Sequence, residues 1–479
     1  MFDSASQIAA AIRAGQTTST EVAKAHLAQI ARHNPELNAI AIVLEQEALA
    51  DAAARDQEAR EGRFRGPLHG VPMTVKEQFW VKGTPSTLNS KRNTGFIAPS
   101  DAVIVTRLKD AGAVLMGKSN VAYNLLDYQV WGDIYPEGKN PYRLELSPGG
   151  SSGGSAAALA SGMAAIELGG DFGGSVRIPA NYCGVYGLKP TESTIPTHGM
   201  GPAPRQKGYI FHMGKPGPMA RTIDDLETVW KIIRGPHPSD PAVAPIAWRD
   251  SSSKRLSDFR VKWVDGWPGY EAGSAVRALV RRAAETAAAG GARVTQATPP
   301  GDLHTRTLAL YVRLFPQLIA QGLPWVIRLL IKRELDLTLL RGLTKFRGVL
   351  KRGFQLSYEN YIETISMRRA IIAEWEAFLA DADVLLCPMS YGPAFERRRI
   401  GTPIPGEHGP IVYIEYAWPY VACFNASGMP AMNLPMGLDT NGVPAGVQVA
   451  GGYWSEPDLL QFGRLMADRV KGFERPARY

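Results

Sequence analysis

The sequence predicts an α/β fold in which a sheet is covered by helices on both faces. Three observations lead there. Short apolar runs at 71–76, 114–116 and 164–168 are too brief for helices and lack polar alternation, the pattern of strands buried on both sides. Helical stretches alternate with them along the chain. Finally, 479 residues with 45% apolar and 20% charged side chains have the balance of a globular protein able to bury such a sheet.

The elements follow in order. Thr18 with Glu21 three residues later is a capping box, and Val22, Ala23, Leu27, Ile30 and Ala31 form the apolar stripe of a helix expected to end near Asn34-Pro35. An alanine-rich helix follows near 45–60. Residues 71–76 read as a strand, 102–111 as a helix, 114–116 as a strand, and 155–163 as a helix of small residues feeding the strand 164–168. Pro and Gly cluster at 199–220, 235–245 and 388–410, which are expected to be surface loops or lids. Residues 383–388 and 431–435 read as further strands, each closed by its proline. There is no internal repeat, low-complexity tract or flexible linker, so one domain spanning 1–479 is expected.

Composition narrows the function classes. Cys183, Cys387 and Cys423 lie far apart, without the spacing of a zinc site or disulfide framework, and no secretory or membrane-spanning segment is evident, so a cytoplasmic setting is expected. The net charge of +8 is concentrated, with eight Lys or Arg in 324–353 against Glu334 and Asp336. That segment mixes leucines with cations. Cap helices with apolar faces on the body and solvated cations are favoured over peripheral membrane contact, and nothing indicates nucleic acid.

The chemistry lies in three stretches. Lys76 ends the run Gly70-Val71-Pro72-Met73-Thr74-Val75, Ser151 lies in Gly149-Gly150-Ser151-Ser152-Gly153-Gly154-Ser155, and Ser175 ends Gly169-Gly170-Asp171-Phe172-Gly173-Gly174-Ser175. Together they suggest a nucleophilic serine without a histidine, whose base is a lysine kept neutral by burial. Two other patterns compete. Residues 112–119 match the P-loop expression, but a helix precedes the first glycine and the middle residues are apolar strand formers. Residues 150–154 match the nucleophile elbow, yet the loop-like 140–149 stands where a strand is required. His198, His212, His237, His304 and His408 read as structural, and no pair of histidines has metal-ligand spacing.

These residues resemble the amidase signature family of serine hydrolases, and the match covers most of the chain. It takes in the stretches above, 111–120, 148–162, Val176-Arg177-Ile178-Pro179, 183–191 and Gly217-Pro218-Met219-Ala220-Arg221, with intervals of 75 and 24 residues between Lys76, Ser151 and Ser175. The resemblance implies a large twisted mixed β-sheet, with Ser175 as nucleophile, Ser151 as a bridging serine beside a cis peptide, and Lys76 as the ultimate base. No cofactor or metal is implied. The backbone N–H groups of Phe172, Gly173, Gly174 and Ser175 are expected to form the oxyanion hole. Asp171 and Arg177 are expected to hold that loop in shape, and Ser152 to support Lys76 by a hydrogen bond.

Residues 66–225 would then hold the core motifs, and 303–375 a helical cap beside the substrate pocket. Tyr123, Asn124 and Tyr128 are candidate pocket residues, and the aromatic content there and in 303–360 suits an apolar acyl or aryl group, though core packing gives the same composition. Two departures stand out. Glu77-Gln78 replaces the Asp-Asn of many members, and 120–135 is unlike the glutamine amidotransferase subunits and closer to free-standing amidases. The expected activity is metal-free hydrolysis of a small-molecule carboxamide to an acid and an amine or ammonia, with ester cleavage alongside. The alternative is an amidotransferase A-type subunit supplying ammonia to a partner. The oligomeric state, a homodimer included, stays open.

Overall fold

The computed structural model describes residues 2–202, 212–320, 324–355 and 357–479. Among the described residues eleven strands form one mixed sheet: β1 (Ile40–Val43), β2 (Pro72–Lys76), β3 (Val114–Ser119), β4 (Ile166–Asp171), β5 (Tyr186–Lys189), β6 (Lys215–Ala220), β7 (Arg260–Trp263), β8 (Arg293–Gln296), β9 (Val384–Cys387), β10 (Ala431–Leu438) and β11 (Pro444–Ala450). Their spatial order is β1-β3-β2-β4-β6-β5-β10-β11-β9-β7-β8. Strand β2 runs parallel to both β3 and β4, and β7 parallel to β8 and β9, while the centre of the sheet is antiparallel.

Both faces are buried, as the apolar runs require. On β9, Val384 and Leu386 join a core with helices Ile223–Ile233, Ser274–Ala289 and Glu456–Ala467, whereas Leu385 and Cys387 join one with helices Leu303–Ile319, Tyr358–Leu379 and Trp418–Ser427. On β3, Leu115 and its neighbours Val114 and Met116 likewise divide between two cores. Successive side chains of a strand point to opposite faces, so a strand with helices above and below must be apolar throughout. No described helix is long and apolar enough to cross a membrane.

Several boundaries differ from the sequence reading, and prolines account for most. The helix expected to stop at Pro35 runs Ser19–Leu37 and ends on Asn38 in the left-handed conformation. Pro35 lies in its last turn, where one missing N–H costs a single bond. Strand β10 passes through Pro435 to Leu438. Its neighbour β5 pairs only with Ala431–Asn433, so beyond Asn433 the strand is bonded on one side, where proline is tolerated. The larger correction is 215–220, expected to be loop. Lys-Pro-Gly-Pro-Met-Ala forms the buried strand β6, paired along its whole length with β4, while β5 joins only at Met219 and Ala220, past both prolines. Prolines two residues apart delete donors toward the same neighbour and leave the other ladder intact.

The basic segment also differs. In the helix Trp325–Leu337 only Leu335 is buried, and Trp325 is 72% exposed with Val326, Leu329, Leu330 and Leu337 also outside. Ile331 and Leu335 pack on the body, as do Leu339, Leu343, Phe346 and Leu350 beyond the helix, but its other apolar residues do not pack there as expected. The helix stands at the rim of a cavity, touching it through Ile327, Ile331 and Leu335.

Candidate active site

Parallel strands β2 and β4 end at the same edge of the sheet, and their last residues are Lys76 and Asp171. The carboxyl ends of parallel strands are where open α/β sheets place their ligands. Two loops reach this edge. One, residues 147–152, leads into the helix Gly153–Ala160, and the other, residues 172–176, leads from β4 into the helix Arg177–Tyr182. Ser152 N donates to Ser175 O at 3.2 Å, tying the loops side by side.

The Gly150-Ser151 peptide is cis. The glycines around it are demanded by crowding: a Cβ on Gly150 would lie 2.3 Å from Asp127 O, and Gly149, at φ 80°, lies against Pro179 Cα, 2.5 Å from where a Cβ would stand. Ser151 faces the lysine. Lys76 Nζ donates to Ser151 Oγ at 2.8 Å and to Gly170 O at 3.2 Å. Burial lowers the Lys76 ammonium from 10.5 to about 7, against the opposing pull of Asp171, Glu167 and Glu77. The lysine lacks any solvent contact, which is the cause.

Asp171 organises the second loop. Its carboxylate accepts from Gly174 N (2.9 Å), Val176 N (3.2 Å), Arg177 Nε and Nη2 (3.0 Å each) and Asn425 Nδ2 (2.9 Å). Burial works to raise this carboxyl, but Arg177 and these donors hold it well below the usual range. Arg177 in turn donates to Gln448 Oε1 and Asn425 Oδ1, each at 2.6 Å. Two of the expected roles change. Gly174 N–H is engaged by Asp171 and drops out as an oxyanion donor, whereas among the described residues those of Phe172, Gly173 and Ser175 have no protein partner. Ser152 makes no hydrogen bond to Lys76. Its hydroxyl lies 3.4 Å from Gly170 N and 3.5 Å from Gly170 O, so it acts on the carbonyl that also receives the lysine.

The Amidase family model matches residues 21–460, a span holding both serine loops and the strand that ends in Lys76. The chain belongs to this amidase family. Among its relatives, the A-type subunit of glutamyl-tRNA(Gln) amidotransferase from Methylococcus capsulatus is 30% identical over 95% of this chain and 94% of that protein. Its counterpart from Alkalilimnicola ehrlichii is 31% identical over 95% of each. Among solved structures, 6-aminohexanoate cyclic dimer hydrolase complexed with substrate superposes with a TM-score of 0.82 at 28% identity over 99% of both chains. Native peptide amidase from Stenotrophomonas maltophilia gives 0.78 at 27% identity, over 99% of this chain and 98% of that one.

In this member of the amidase family Ser175, 9% exposed, lies where two compartments meet. The larger, of about 590 Å³, is lined by Ser151, Tyr123, Asn124, Gln78 and a mostly apolar wall including Leu318, Ile319, Ile331 and Leu339. The smaller, of about 70 Å³, takes Tyr128 with Phe315, Leu343 and Trp418. At its edge Asp127 accepts from Tyr413 and Trp131, and burial pushes it up to about 6. Among the described residues no histidine lines either compartment, and no cluster of three or more His, Cys, Asp or Glu is placed to hold a metal ion. The competing patterns fall away too: no strand leads into 150–154, and Lys118 of the P-loop-like run is buried at the end of β3, donating to Pro85 O and Ser86 Oγ. Asn425 and Gln448, which clamp Arg177, carried no local signal because they lie 248 and 271 residues from it.

Proposed function

We propose that this amidase-family enzyme hydrolyses a carboxamide through an acyl-enzyme on Ser175. Ser175 Oγ attacks the carbonyl carbon as its proton passes to Ser151 Oγ and the proton of Ser151 passes to Lys76 Nζ. The oxyanion is met by the free N–H groups of the 172–175 loop. The C–N bond then breaks, Ser151 protonates the departing nitrogen, and Lys76 returns a proton to Ser151. Water attacks the ester by the same relay and releases the acid and Ser175. The observation that carries this reading is the solvent-free Lys76 amine 2.8 Å from Ser151 Oγ at the base of the cavity that Ser175 enters. The apolar wall of that cavity supports an acyl or aryl group of low polarity.

The sequence relatives support a second reading, an amidotransferase A-type subunit passing ammonia to a partner. Of the two, those relatives favour this one, while the superposed hydrolases and the apolar wall favour the first. Both need the same chemistry at Ser175 and differ in what becomes of the nitrogen. A fluorophosphonate probe tests the shared part: wild type should label and Ser175→Ala should not. Equal labelling of both would refute the nucleophile. Hydrolysis of aryl and aliphatic amides by the isolated chain supports free-standing activity, whereas glutamine turnover that needs a stably bound second chain supports the amidotransferase.

A further inference from the structure

Of the polar side chains of the cavity wall that the relay does not use, Gln78 stands nearest to it in the chain. Gln78 stands two residues beyond Lys76, is 4% exposed, and lines the large compartment with Ser151, Gly170 and Ser175. Its backbone is held in place, its carbonyl accepting from Gly201 N at 2.8 Å and the next residue, Phe79, bridging to Met200. Its carboxamide presses on Gly170, where a Cβ would lie 2.7 Å from Oε1 and 2.8 Å from Nε2. Among the described residues Oε1 is buried with no hydrogen-bond partner. An unpaired buried acceptor is unfavourable, and it is relieved by any ligand that brings a donor. The terminal torsion of glutamine is broad, so the oxygen turns readily from Gly170 toward the cavity.

Placement indicates which donor. Gly170 O is the group that receives Lys76 Nζ, so Gln78 stands on the base side of the site. The free N–H groups of Phe172, Gly173 and Ser175 claim the carbonyl oxygen of a bound amide, and the nitrogen is then presented to the side from which Ser151 protonates it. We propose that Gln78 Oε1 accepts the N–H of the scissile carboxamide, so that the site selects primary and monosubstituted amides over esters and over N,N-disubstituted amides. A site built to bond a substrate N–H discriminates strongly against an analogue lacking it, because its own acceptor is then stranded. This inference rests on Ser175 being the nucleophile.

The test compares three substrates sharing one acyl group, an anilide, its N-methylanilide and the phenyl ester, by kcat/KM with wild type, Gln78→Met and Gln78→Asn. Gln78→Met is expected to lower the anilide-to-ester ratio about tenfold and to leave the N-methylanilide-to-ester ratio within about twofold, with Gln78→Asn losing less of the first ratio. These ratios do not depend on the fraction of folded enzyme. An anilide-to-ester ratio unchanged in both variants, or equal losses on all three substrates, overturns the role. Anilide hydrolysis that survives Ser175→Ala overturns the underlying nucleophile assignment, and the inference with it.

Discussion

Acylation by this enzyme should follow the titration of Lys76 near neutral pH. A lysine at its ordinary 10.5 would be neutral in only about 3 molecules per 10,000 at pH 7, whereas one lowered to about 7 is neutral in about half. Burial therefore raises the neutral fraction of this amine about a thousandfold, roughly 5 kcal/mol at about 1.36 per pH unit. Fluorophosphonate labelling or amide kcat/KM, followed from about pH 5 to about pH 10 at constant ionic strength, reads this titration. The rate should climb about tenfold per unit to an inflection near 7 and then level. Replacing the lysine by methionine should remove the inflection and cut the rate by about 10²–10⁴. A profile still climbing through pH 9, or a methionine variant within tenfold of wild type, would refute the claim that burial makes this amine a base. Stability gives a second readout of the same desolvation. Between about pH 7 and 10.5 the unfolded chain holds a proton on Lys76 that the fold has lost, so this group's contribution to stability rises with pH across that window. Lys76→Met should accordingly raise the melting temperature more at pH 7 than at pH 10.

Asp171→Ala would leave the fully buried Arg177 guanidinium without its carboxylate, at a cost of about 3–5 kcal/mol, and should also abolish labelling. Denaturant unfolding checks it, and a loss below about 1 kcal/mol contradicts the structural role. Gly150→Ala places a methyl 2.3 Å from Asp127 O, backbone that cannot swing aside, so labelling should fall by more than about a hundredfold even in soluble protein. Near wild-type labelling would show that the loop tolerates the group. Leu339→Trp, in a wall shared by both compartments, should reduce kcat/KM for bulky acyl groups at least about tenfold more than for acetyl, and equal losses would place the acyl group elsewhere.

Much of the fold and part of the site were legible in the chain. The runs at 71–76 and 383–388 announce strands because only a strand with both faces covered keeps every position apolar, as Val384 through Cys387 do. Proline misled where pairing is lopsided: Pro216, Pro218 and Pro435 all sit in strands whose missing donors face a neighbour that does not pair there. The cap helix Trp325–Leu337 misled differently. Its pattern suggests an amphipathic helix on the body, but the body at that point is the mouth of a cavity, leaving Leu329 and Leu330 outside.

By itself the sequence determined which residues were candidates for chemistry, because the glycines that let Ser151 and Ser175 approach the sheet edge are written beside them in the chain. Tertiary structure alone decided what those residues can do. Lys76 is lowered to about 7 by a shell gathered from the whole molecule, and Gly174 N–H is claimed by a carboxylate that Arg177, Asn425 and Gln448 hold in position. The cavity wall gathers residues as far apart in the chain as Gln78, Tyr123, Met200, Leu318 and Ile400. Desolvation and hydrogen-bond competition depend on every neighbour in space, and no local run of residues encodes them.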